Sequence, residues 1–335
     1  MSVDIAPPPT SAAAGPRLTL FTAPKPFGGH IGVIQTNAIR SWQRLGNGVD
    51  ILLVGKESGL EEAAADLGVR HQESVARSES GAPMLRSALA VTRRVSPSPF
   101  LCYVNADIVL LDDFLPAVER VLQRFDRFLI VGRRWDLEVR QPLTFEAGWQ
   151  GRVREQLARS GELHRPVGSD YFVFPADQYA DLPDFTLGRS GWDNWMIFDA
   201  RRRRYPVLDA SQAITAVHQN HDYAHLPGGR PHHRHPESLR NLDLAGGREV
   251  IFRLEDADWE LAADRLARKG FLDWRYPRRW EADLIARLGP GRGSVLVRMA
   301  FQPVETLRHF LRLPPRKARH ISTSNEVRLE PRKKP

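Results

Sequence analysis

The sequence contains a single cysteine, Cys102, which lies inside an apolar run. One cysteine excludes an intramolecular disulfide and a cysteine-based zinc site, so we expect a reducing compartment. No apolar run reaches the roughly 18 residues that a membrane-spanning helix needs. Residues 1–16 have Asp4 as their only charge and lack an apolar core, so we expect a disordered tail rather than a secretory signal. These absences favour a soluble, cytoplasmic protein.

Acidic residues are scarce only in the C-terminal fifth of the chain. Residues 270–335 contain 15 Lys and Arg against 6 Asp and Glu, a net charge of +9, whereas the whole chain has a net charge of +8. Aromatic residues such as Trp274 and Trp280 lie among these arginines, and such rings favour the membrane interface. We therefore predict reversible contact with an anionic membrane surface. Ion pairs that pack this segment onto the rest of the protein are the alternative, and nucleic acid is the rival partner.

Short apolar runs alternate with segments of helical spacing in the first part of the chain. Strands are predicted over residues 18–22, 49–55, 100–104 and 128–132, with helices between them. This alternation is typical of an α/β domain built on a largely parallel sheet.

The alternation weakens after about residue 240, where residues 255–270 have the pattern of a capped helix. We predict one α/β domain over residues 17–239 and a partly helical, basic extension over residues 240–335.

Asn105 and Asp107 interrupt the most strand-like segment of the sequence, "FLCYVNADIVLL". Ligands of a parallel sheet bind beyond the carboxyl ends of its strands, so we expect both side chains to face that crevice. A carboxylate there can hold Mg²⁺ or Mn²⁺ that bridges phosphate oxygens. A turn in which these side chains bond to nearby backbone N–H groups is the alternative.

Six stretches between residue 18 and about residue 225 carry a resemblance to a known family: "FTAPKPFGGHIGVIQTNAIRSW", "YVNADIVLLDDF", "VGRRWD", "GSDYFVFP", "GRSGWDNWMI" and "HQNHDY". They resemble glycosyltransferases of the A-type fold, particularly an uncharacterised bacterial branch of family-2-like enzymes. The resemblance implies a Rossmann-like, mostly parallel sheet flanked by helices. It also implies transfer of a hexose-type sugar from a nucleotide-diphosphate donor to an acceptor hydroxyl.

The resemblance assigns a divalent cation, Mn²⁺ or Mg²⁺, to the Asn-Ala-Asp step, which corresponds to the family's Asp-x-Asp signature. Asp107 would coordinate the cation, and Asn105 would contact the ribose or the cation. In several members a late histidine completes the coordination, for which His218 is the first candidate and His221 the second. Because Asn105 lacks the charge of an aspartate, dependence on a metal stays open.

Thr22, Pro24, Lys25 and Arg134 are predicted to bind the nucleotide sugar by their positions in the same stretches, and Gly81 by its position in "SGAPML", before the third predicted helix. Glu57, at the end of the second predicted strand, is a weaker candidate for holding the base. Gly81 precedes a helix, whose first N–H groups suit phosphate or hydroxyl oxygens. An exposed turn lysine and ordinary helix-start chemistry are the alternatives for Lys25 and Gly81.

Asp193 follows the glycine-containing loop "GRSG" and begins a predicted helix. By resemblance it matches the acidic base of inverting family-2 enzymes, which removes a proton from the acceptor hydroxyl. A helix N-cap is the alternative. Asp170 and Trp192 are predicted to contact the sugar or the acceptor, although Asp170 also suits a turn and Trp192 or Trp195 also suits the core.

Two other functions remain open from the sequence. A sugar nucleotidyltransferase is the first, but its usual Gly-rich loop with Arg and Lys matches "TAPKPFGGHIG" poorly. The second is a non-catalytic nucleotide- or saccharide-binding module, which Asn105 favours and Asp193 disfavours. The donor and the acceptor, whether a saccharide, a lipid-linked molecule or a small molecule, are also left open.

Overall fold

The computed structural model of the protein describes residues 17–221, 235–270, 277–304 and 307. The predicted tail at residues 1–16 lies outside this part of the chain. The strands are β1 (Leu18–Thr22), β2 (Val49–Val54), β3 (Arg70–Gln72), β4 (Phe100–Val104), β5 (Ile108–Leu110), β6 (Leu129–Val131), β7 (Arg134–Leu137), β8 (Glu162–Leu163), β9 (Tyr171–Pro175), β10 (Val207–Gln212), β11 (Ala216–Gln219), β12 (Trp259–Ala262) and β13 (Leu266–Arg268). The helices are α1 (Gly29–Gln43), α2 (Leu60–Leu67), α3 (Leu85–Val95), α4 (Phe114–Leu122), α5 (Trp149–Ser160), α6 (Trp192–Arg202), α7 (Pro236–Ala245), α8 (Pro277–Leu288) and α9 (Arg292–Phe301).

Nine of the described strands form one large sheet in the order β13-β12-β10-β6-β9-β4-β1-β2-β3. Pairing is parallel from β4 through β1 and β2 to β3, and also from β6 through β10 to β12. Strand β9 runs antiparallel between β4 and β6. The predicted α/β class with a mostly parallel sheet flanked by helices is confirmed.

The central strands are buried on both faces, which explains their continuous apolar sequences. In β1, Leu20 packs into one core cluster with Trp42 of α1, whereas its neighbour Phe21 packs into the other with Leu89 of α3. Successive side chains of a strand point to opposite faces, so one short apolar run supplies both layers.

A second, four-stranded sheet lies at the carboxyl end of β4, in the order β5-β11-β7-β8. The chain leaves the large sheet at Val104 and enters the small one at Ile108. Residues 105–107 therefore form the junction between the two sheets.

The predicted helix over residues 255–270 is wrong, because an antiparallel pair of strands, β12 and β13, lies within this segment. Strand β12 pairs with β10, and Leu261 is completely buried in the core. This tertiary pairing outweighs the helix propensity of the local Ala and Glu residues. The predicted domain boundary between residues 239 and 240 stays a prediction, and strands from both sides of it share the large sheet.

Partly buried ion pairs attach the described part of the extension to the domain and hold parts of the extension together. Arg201 of α6 contacts Asp258 at 2.7 Å and Asp283 of α8 at 3.5 Å. Arg278 contacts the buried Asp256 at 2.7 Å. Internal ion pairing, which the sequence left as an alternative for the basic segment, therefore accounts for part of its charge.

Candidate active site

The site forms where strand ends of the large sheet meet the small sheet. Because β9 is antiparallel to β4, the residue that precedes β9 lies beside the residue that follows β4. The backbone N–H of Asn105 accordingly donates to the carbonyl of Asp170 at 2.8 Å. Lys25 follows the end of the neighbouring β1. Polar residues from distant parts of the sequence are thus brought to one edge.

Asp107, His218 and His221 form a cluster whose potential ligand atoms all lie within 4.8 Å of one another. Oδ2 of Asp107 is 3.1 Å from Nε2 of His221 and 3.9 Å from Nε2 of His218. Oδ1 of Asp107 is buried and has no hydrogen-bond partner among the described residues. A carboxylate oxygen suits Mn²⁺ or Mg²⁺, and imidazole nitrogen suits divalent transition metals. The residues present therefore fit a divalent cation, and the carboxylate of Asp107 fits the Mn²⁺ that the sequence predicts.

Backbone pairing fixes this cluster. His218 lies on β11, opposite Ile108 of β5 in the antiparallel ladder. The N–H of Gln219 donates to the carbonyl of Asp107 at 3.2 Å. Residues 216–219 are a strand, so strand pairing and not helical spacing brings His218 close to Asp107.

The charge of Asp107 is stabilised by its neighbours. Burial alone would raise the pKa of this carboxyl, but a hydrogen bond with His221 and the charges of His218 and Lys25 hold the pKa well below its ordinary value. The carboxylate is therefore ionised, as a metal ligand must be.

Lys25 places an ammonium group directly beside the cluster. Its Nζ lies 3.0 Å from Nε2 of His221 and 3.8 Å from Oδ2 of Asp107. Burial lowers the pKa of Lys25, and the nearby carboxylates of Asp107 and Asp170 oppose that shift. A cleft of about 480 Å³ opens next to this group, lined by His30, Glu138, Arg140, Asn220 and His221.

Asn105, Asp170, Arg134 and Asp136 form a continuous chain of hydrogen bonds. Nδ2 of Asn105 donates to Oδ1 of Asp170 at 2.6 Å, and Nη1 of Arg134 donates to Oδ2 of the same carboxylate at 2.8 Å. Nε of Arg134 donates to Oδ1 of Asp136 at 2.9 Å. Of the two adjacent arginines, Arg134 thus faces the site, whereas Arg133 donates to the backbone of β8.

Asp136 and His164 are site residues that the sequence analysis did not assign. Asp136 lies opposite His218 in the parallel pairing of β7 and β11, with its Oδ1 3.2 Å from Nδ1 of His218. Its Oδ2 lies 2.6 Å from Nδ1 of His164. A carboxylate at Nδ1 of a histidine orients the ring and leaves Nε2 for a metal. The position of Asp136 in "VGRRWD", directly after a predicted strand, could have indicated that it belongs to the site. No sequence pattern indicated His164.

Asp193 lies in the first turn of α6, next to the start of β9. It lines a shallow depression with Gly168, Ser169 and Arg253. Burial raises the pKa of Asp193 to about 6, although backbone N–H groups of Asn194 and Gly191 oppose the shift. The N-cap of α6 is Gly191, two residues earlier, so the N-cap alternative for Asp193 is wrong.

Trp192 and Trp195 are both buried, with 6% and 7% of their surfaces exposed. Trp192 packs against Tyr103 and Phe172, with ring centroids 5.1 Å apart in each pair. This is the core position that the sequence left open for these rings. A contact between Trp192 and a sugar stays a prediction.

Thr22 and Pro24 are buried where β1 ends. Oγ1 of Thr22 has no hydrogen-bond partner among the described residues. Glu57, beyond the end of β2, pairs with Arg77 at 2.7 Å, and Arg77 donates to the carbonyl of Gly81 at 2.5 Å. Glu57 and Gly81 therefore belong to a group held by Arg77, distinct from the cluster around Asp107.

No protein-family model matches the sequence, and no curated protein does either. Solved structures do resemble the chain. Glucosyl-3-phosphoglycerate synthase from Mycobacterium tuberculosis, in complex with Mn²⁺, UDP-glucose and phosphoglyceric acid, has a TM-score of 0.43 at 16% identity, over 70% of this chain and 81% of that one. A mannosyltransferase from Pyrobaculum calidifontis, in complex with GDP-mannose and Mn²⁺, has a TM-score of 0.43 at 12% identity, over 89% of this chain and 76% of that one.

These structures are glycosyltransferases, in agreement with the resemblance predicted from the sequence. Because the TM-scores lie below 0.5, we base the functional proposal on the residues of this chain.

Proposed function

We propose that the protein is a glycosyltransferase that moves a sugar from a nucleotide-diphosphate donor to an acceptor hydroxyl. The observation that carries this proposal is the cluster of Asp107, His218 and His221 at the junction of the two sheets, with the ammonium of Lys25 3.0 Å from His221. A divalent cation and an ammonium group side by side suit the charge of a diphosphate.

Asp107, His218 and His221 would hold the cation, Mn²⁺ or Mg²⁺. When bound, the cation would neutralise negative charge on the departing nucleotide diphosphate. Lys25 adds a second positive charge on the same side, and Asp136 holds the ring of His218 in position. In this proposal Thr22, Pro24 and Gly81 contact the nucleotide, as the sequence predicts.

Asp193 is the proposed general base. It takes the proton of the acceptor hydroxyl as that oxygen bonds to the anomeric carbon, while the bond between this carbon and the diphosphate oxygen breaks. A pKa of about 6 leaves Asp193 largely ionised at neutral pH and makes it a stronger base than an ordinary aspartate. The hydrogen-bonded group of Asn105, Asp170 and Arg134 provides polar contacts for the sugar between the base and the cation cluster.

Donor binding tests the proposal. UDP-, GDP- and dTDP-sugars are screened for thermal stabilisation with and without Mn²⁺, and at least one donor should raise the melting temperature only when Mn²⁺ is present. Asp107→Asn should remove that shift. Asp112→Asn is the matched control, because Asp112 is 64% exposed and pairs with Arg154 on the surface.

The result also separates the competing functions. Stabilisation by nucleotide sugars without turnover, with any acceptor, would favour the binding module. Synthesis of a nucleotide sugar from a sugar phosphate and a nucleoside triphosphate would show a nucleotidyltransferase. Stabilisation by none of the donors would overturn the transferase proposal.

The charge of the C-terminal segment bears on the acceptor and on the location of the protein. Among the described residues, no helix has the length and apolar character needed to cross a membrane. We propose that the protein contacts an anionic membrane from the cytoplasm, where lipid-linked acceptors are available. The charge of +9 over residues 270–335 supports this contact.

A further inference from the structure

The segment before α6 pairs on one side with the residues that precede α3. Backbone hydrogen bonds of 2.9 Å join Phe185 to Leu85 and Leu187 to Pro83. Thr186 lies between the two bonded residues of this segment, and backbone groups of an extended chain alternate in direction, so its N–H and C=O point away from that contact. Thr186 is completely buried, so both groups need partners on the other side.

The side chain of Asn241, on α7, supplies both partners. Its Oδ1 accepts from the N–H of Thr186 at 2.9 Å, and its Nδ2 donates to the carbonyl of Thr186 at 3.0 Å. A carboxamide offers an acceptor and a donor, as a peptide group does, so Asn241 takes the place of a neighbouring strand. Asn241 is itself completely buried. Its loss would leave two buried backbone groups without hydrogen bonds.

Asn241 also contacts the two residues that lie directly before α6. Its Nδ2 is 3.4 Å from the carbonyl oxygen of Ser190. The backbone of Gly191 packs against it, since a Cβ added at Gly191 would lie 3.7 Å from Cβ of Asn241. The N–H of Gly191 in turn donates to Oδ1 of Asp193 at 3.2 Å. A continuous set of contacts therefore runs from α7 to the carboxylate of Asp193.

Glu237, one helical turn before Asn241, holds the same segment at a second point. Its Oε2 accepts from Nε of Arg189 at 2.8 Å, and these two side chains are only 12% and 14% exposed. Its Oε1 accepts from the hydroxyl of Ser80 at 2.8 Å. Helix α7 thus contacts residues 186–191 at both ends of the segment.

We propose that α7 is a positioning element for the general base, in which Asn241 and Glu237 hold residues 186–191 so that the carboxylate of Asp193 faces the acceptor. The inference rests on the proposed function, because that function makes Asp193 the base. Asn241 and Glu237 act through Asp193 and touch no reacting atom. Helix α7, which spans the predicted boundary between residues 239 and 240, thereby contributes to the active site.

Asn241→Leu in the full-length protein removes the polar contacts at nearly constant side-chain volume. Turnover should fall by roughly 10–100-fold, because a small displacement of a catalytic group lowers the rate steeply. Donor affinity should stay that of the wild type, because the cation cluster and Lys25 keep their places. Steady-state kinetics gives kcat, and calorimetric titration with the donor and Mn²⁺ gives the affinity.

NMR titration of the Asp193 carboxyl adds a measurement that needs neither donor nor acceptor. Protein labelled with ¹³C-aspartate is used, and the signal is assigned by its loss in Asp193→Asn. Burial should give the wild-type carboxyl a pKa of about 6. A displaced carboxyl gains contact with water, so its pKa in Asn241→Leu should fall towards the ordinary value of about 4. The neighbouring charges of Asp170 and Arg253 are the same in both proteins.

Gln178→Met is the matched control for the loss of a buried amide. Gln178 is 3% exposed, and its Nε2 donates to the carbonyl of Phe128 at 3.0 Å. It follows the carboxyl end of β9, whereas Asp170 precedes the other end of that strand. The melting temperature of this variant should fall, but its turnover and the pKa of Asp193 should be those of the wild type. The control therefore separates lost stability from lost position.

Arg189→Met tests the second contact, and it decides the matter if Asn241→Leu does not fold. Loss of a positive charge alone would raise the pKa of Asp193, whereas displacement of the carboxyl should lower it, which is the expected result. An unchanged or raised pKa in this variant would overturn the inference.

Two results with a folded Asn241→Leu variant would also overturn the inference: an unchanged pKa of Asp193, or a kcat that falls no further than that of the Gln178→Met control. Absence of turnover in the wild type would instead count against the transferase proposal. In that case the NMR titration would still show whether α7 holds the carboxylate, so the two failures are distinguishable.

Discussion

The side-chain amide of Asn105 donates a hydrogen bond to the carboxylate of Asp170, with Nδ2 and Oδ1 2.6 Å apart. Asp170 is 7% exposed and also receives a hydrogen bond from Arg134. Asn105, at the first position of the Asp-x-Asp-like step, is therefore matched to Asp170, because its amide can donate a hydrogen bond to that carboxylate. An aspartate at this position would direct a second carboxylate at Asp170.

Asn105→Asp should destabilise the protein at neutral pH by about 1–3 kcal/mol, because a buried hydrogen bond becomes a repulsion between like charges. Two facing carboxylates retain a shared proton more readily in the folded than in the unfolded state, so lowering the pH should restore stability. Urea unfolding of wild type and variant at pH 7 and pH 5 measures the difference. An equal loss of stability at both values would show that the repulsion is absent.

Asp136→Asn should weaken Mn²⁺ binding by about 10–100-fold, because an amide orients the ring of His218 less well than a carboxylate. Calorimetric titration with Mn²⁺ alone measures this effect without relying on turnover. Asp112→Asn serves again as the surface control. An unchanged Mn²⁺ affinity in a folded Asp136→Asn variant would show that His218 needs no such partner.

Asp193→Asn should lower turnover by roughly 10²–10⁴-fold while leaving donor affinity nearly unchanged. In the wild type, kcat/KM should fall as the pH drops below about 6, because protonated Asp193 cannot accept the proton of the acceptor. Residual activity of the variant should lack this limb of the pH profile. Near wild-type turnover would show that Asp193 is not the base.

The ionised carboxylate of Asp193 should also lower the free energy of unfolding of the protein at neutral pH. A carboxyl whose folded pKa is raised binds its proton more tightly in the folded state, so its contribution to stability falls as the pH rises from about 4 to about 6. Asp193→Asn should therefore be at least as stable as the wild type in urea at pH 7. A marked loss of stability would instead indicate a structural role for the carboxylate.

Gly132→Ala should destabilise the protein by about 1–3 kcal/mol through overpacking. A Cβ at Gly132 would lie 1.9 Å from the hydroxyl oxygen of the fully buried Tyr171. Gly151→Ala is the matched control, because Gly151 lies within α5 with no atom within 4 Å of an added Cβ. That control should gain about 0.5–1 kcal/mol, the usual helix preference for alanine. Melting curves of the two variants should shift in opposite directions.

Strands whose apolar runs are buried on both faces, such as β1 and β4, could be predicted from the sequence. A continuous apolar run is visible in the local sequence and does not depend on residues far along the chain. Strand β12 was not predicted, since that strand exists through pairing with β10, about 50 residues earlier. The same limit applies to the site. Asp107 and His218 were assigned by resemblance to known motifs, whereas the contact of Asp136 with His164 depends on the pairing of β7 with β8, which no local pattern indicates.

The junction of the two sheets has a consequence for metal preference. Hydrogen bonds of the backbone hold Asp107 and His218 in register, so their side chains can be exchanged without changing the strands that carry them. Imidazole ligands favour zinc, copper, iron and nickel, whereas carboxylates favour magnesium, calcium and manganese. Proteins that share this arrangement can therefore evolve from one divalent cation to another by point substitutions, with no rearrangement of the chain.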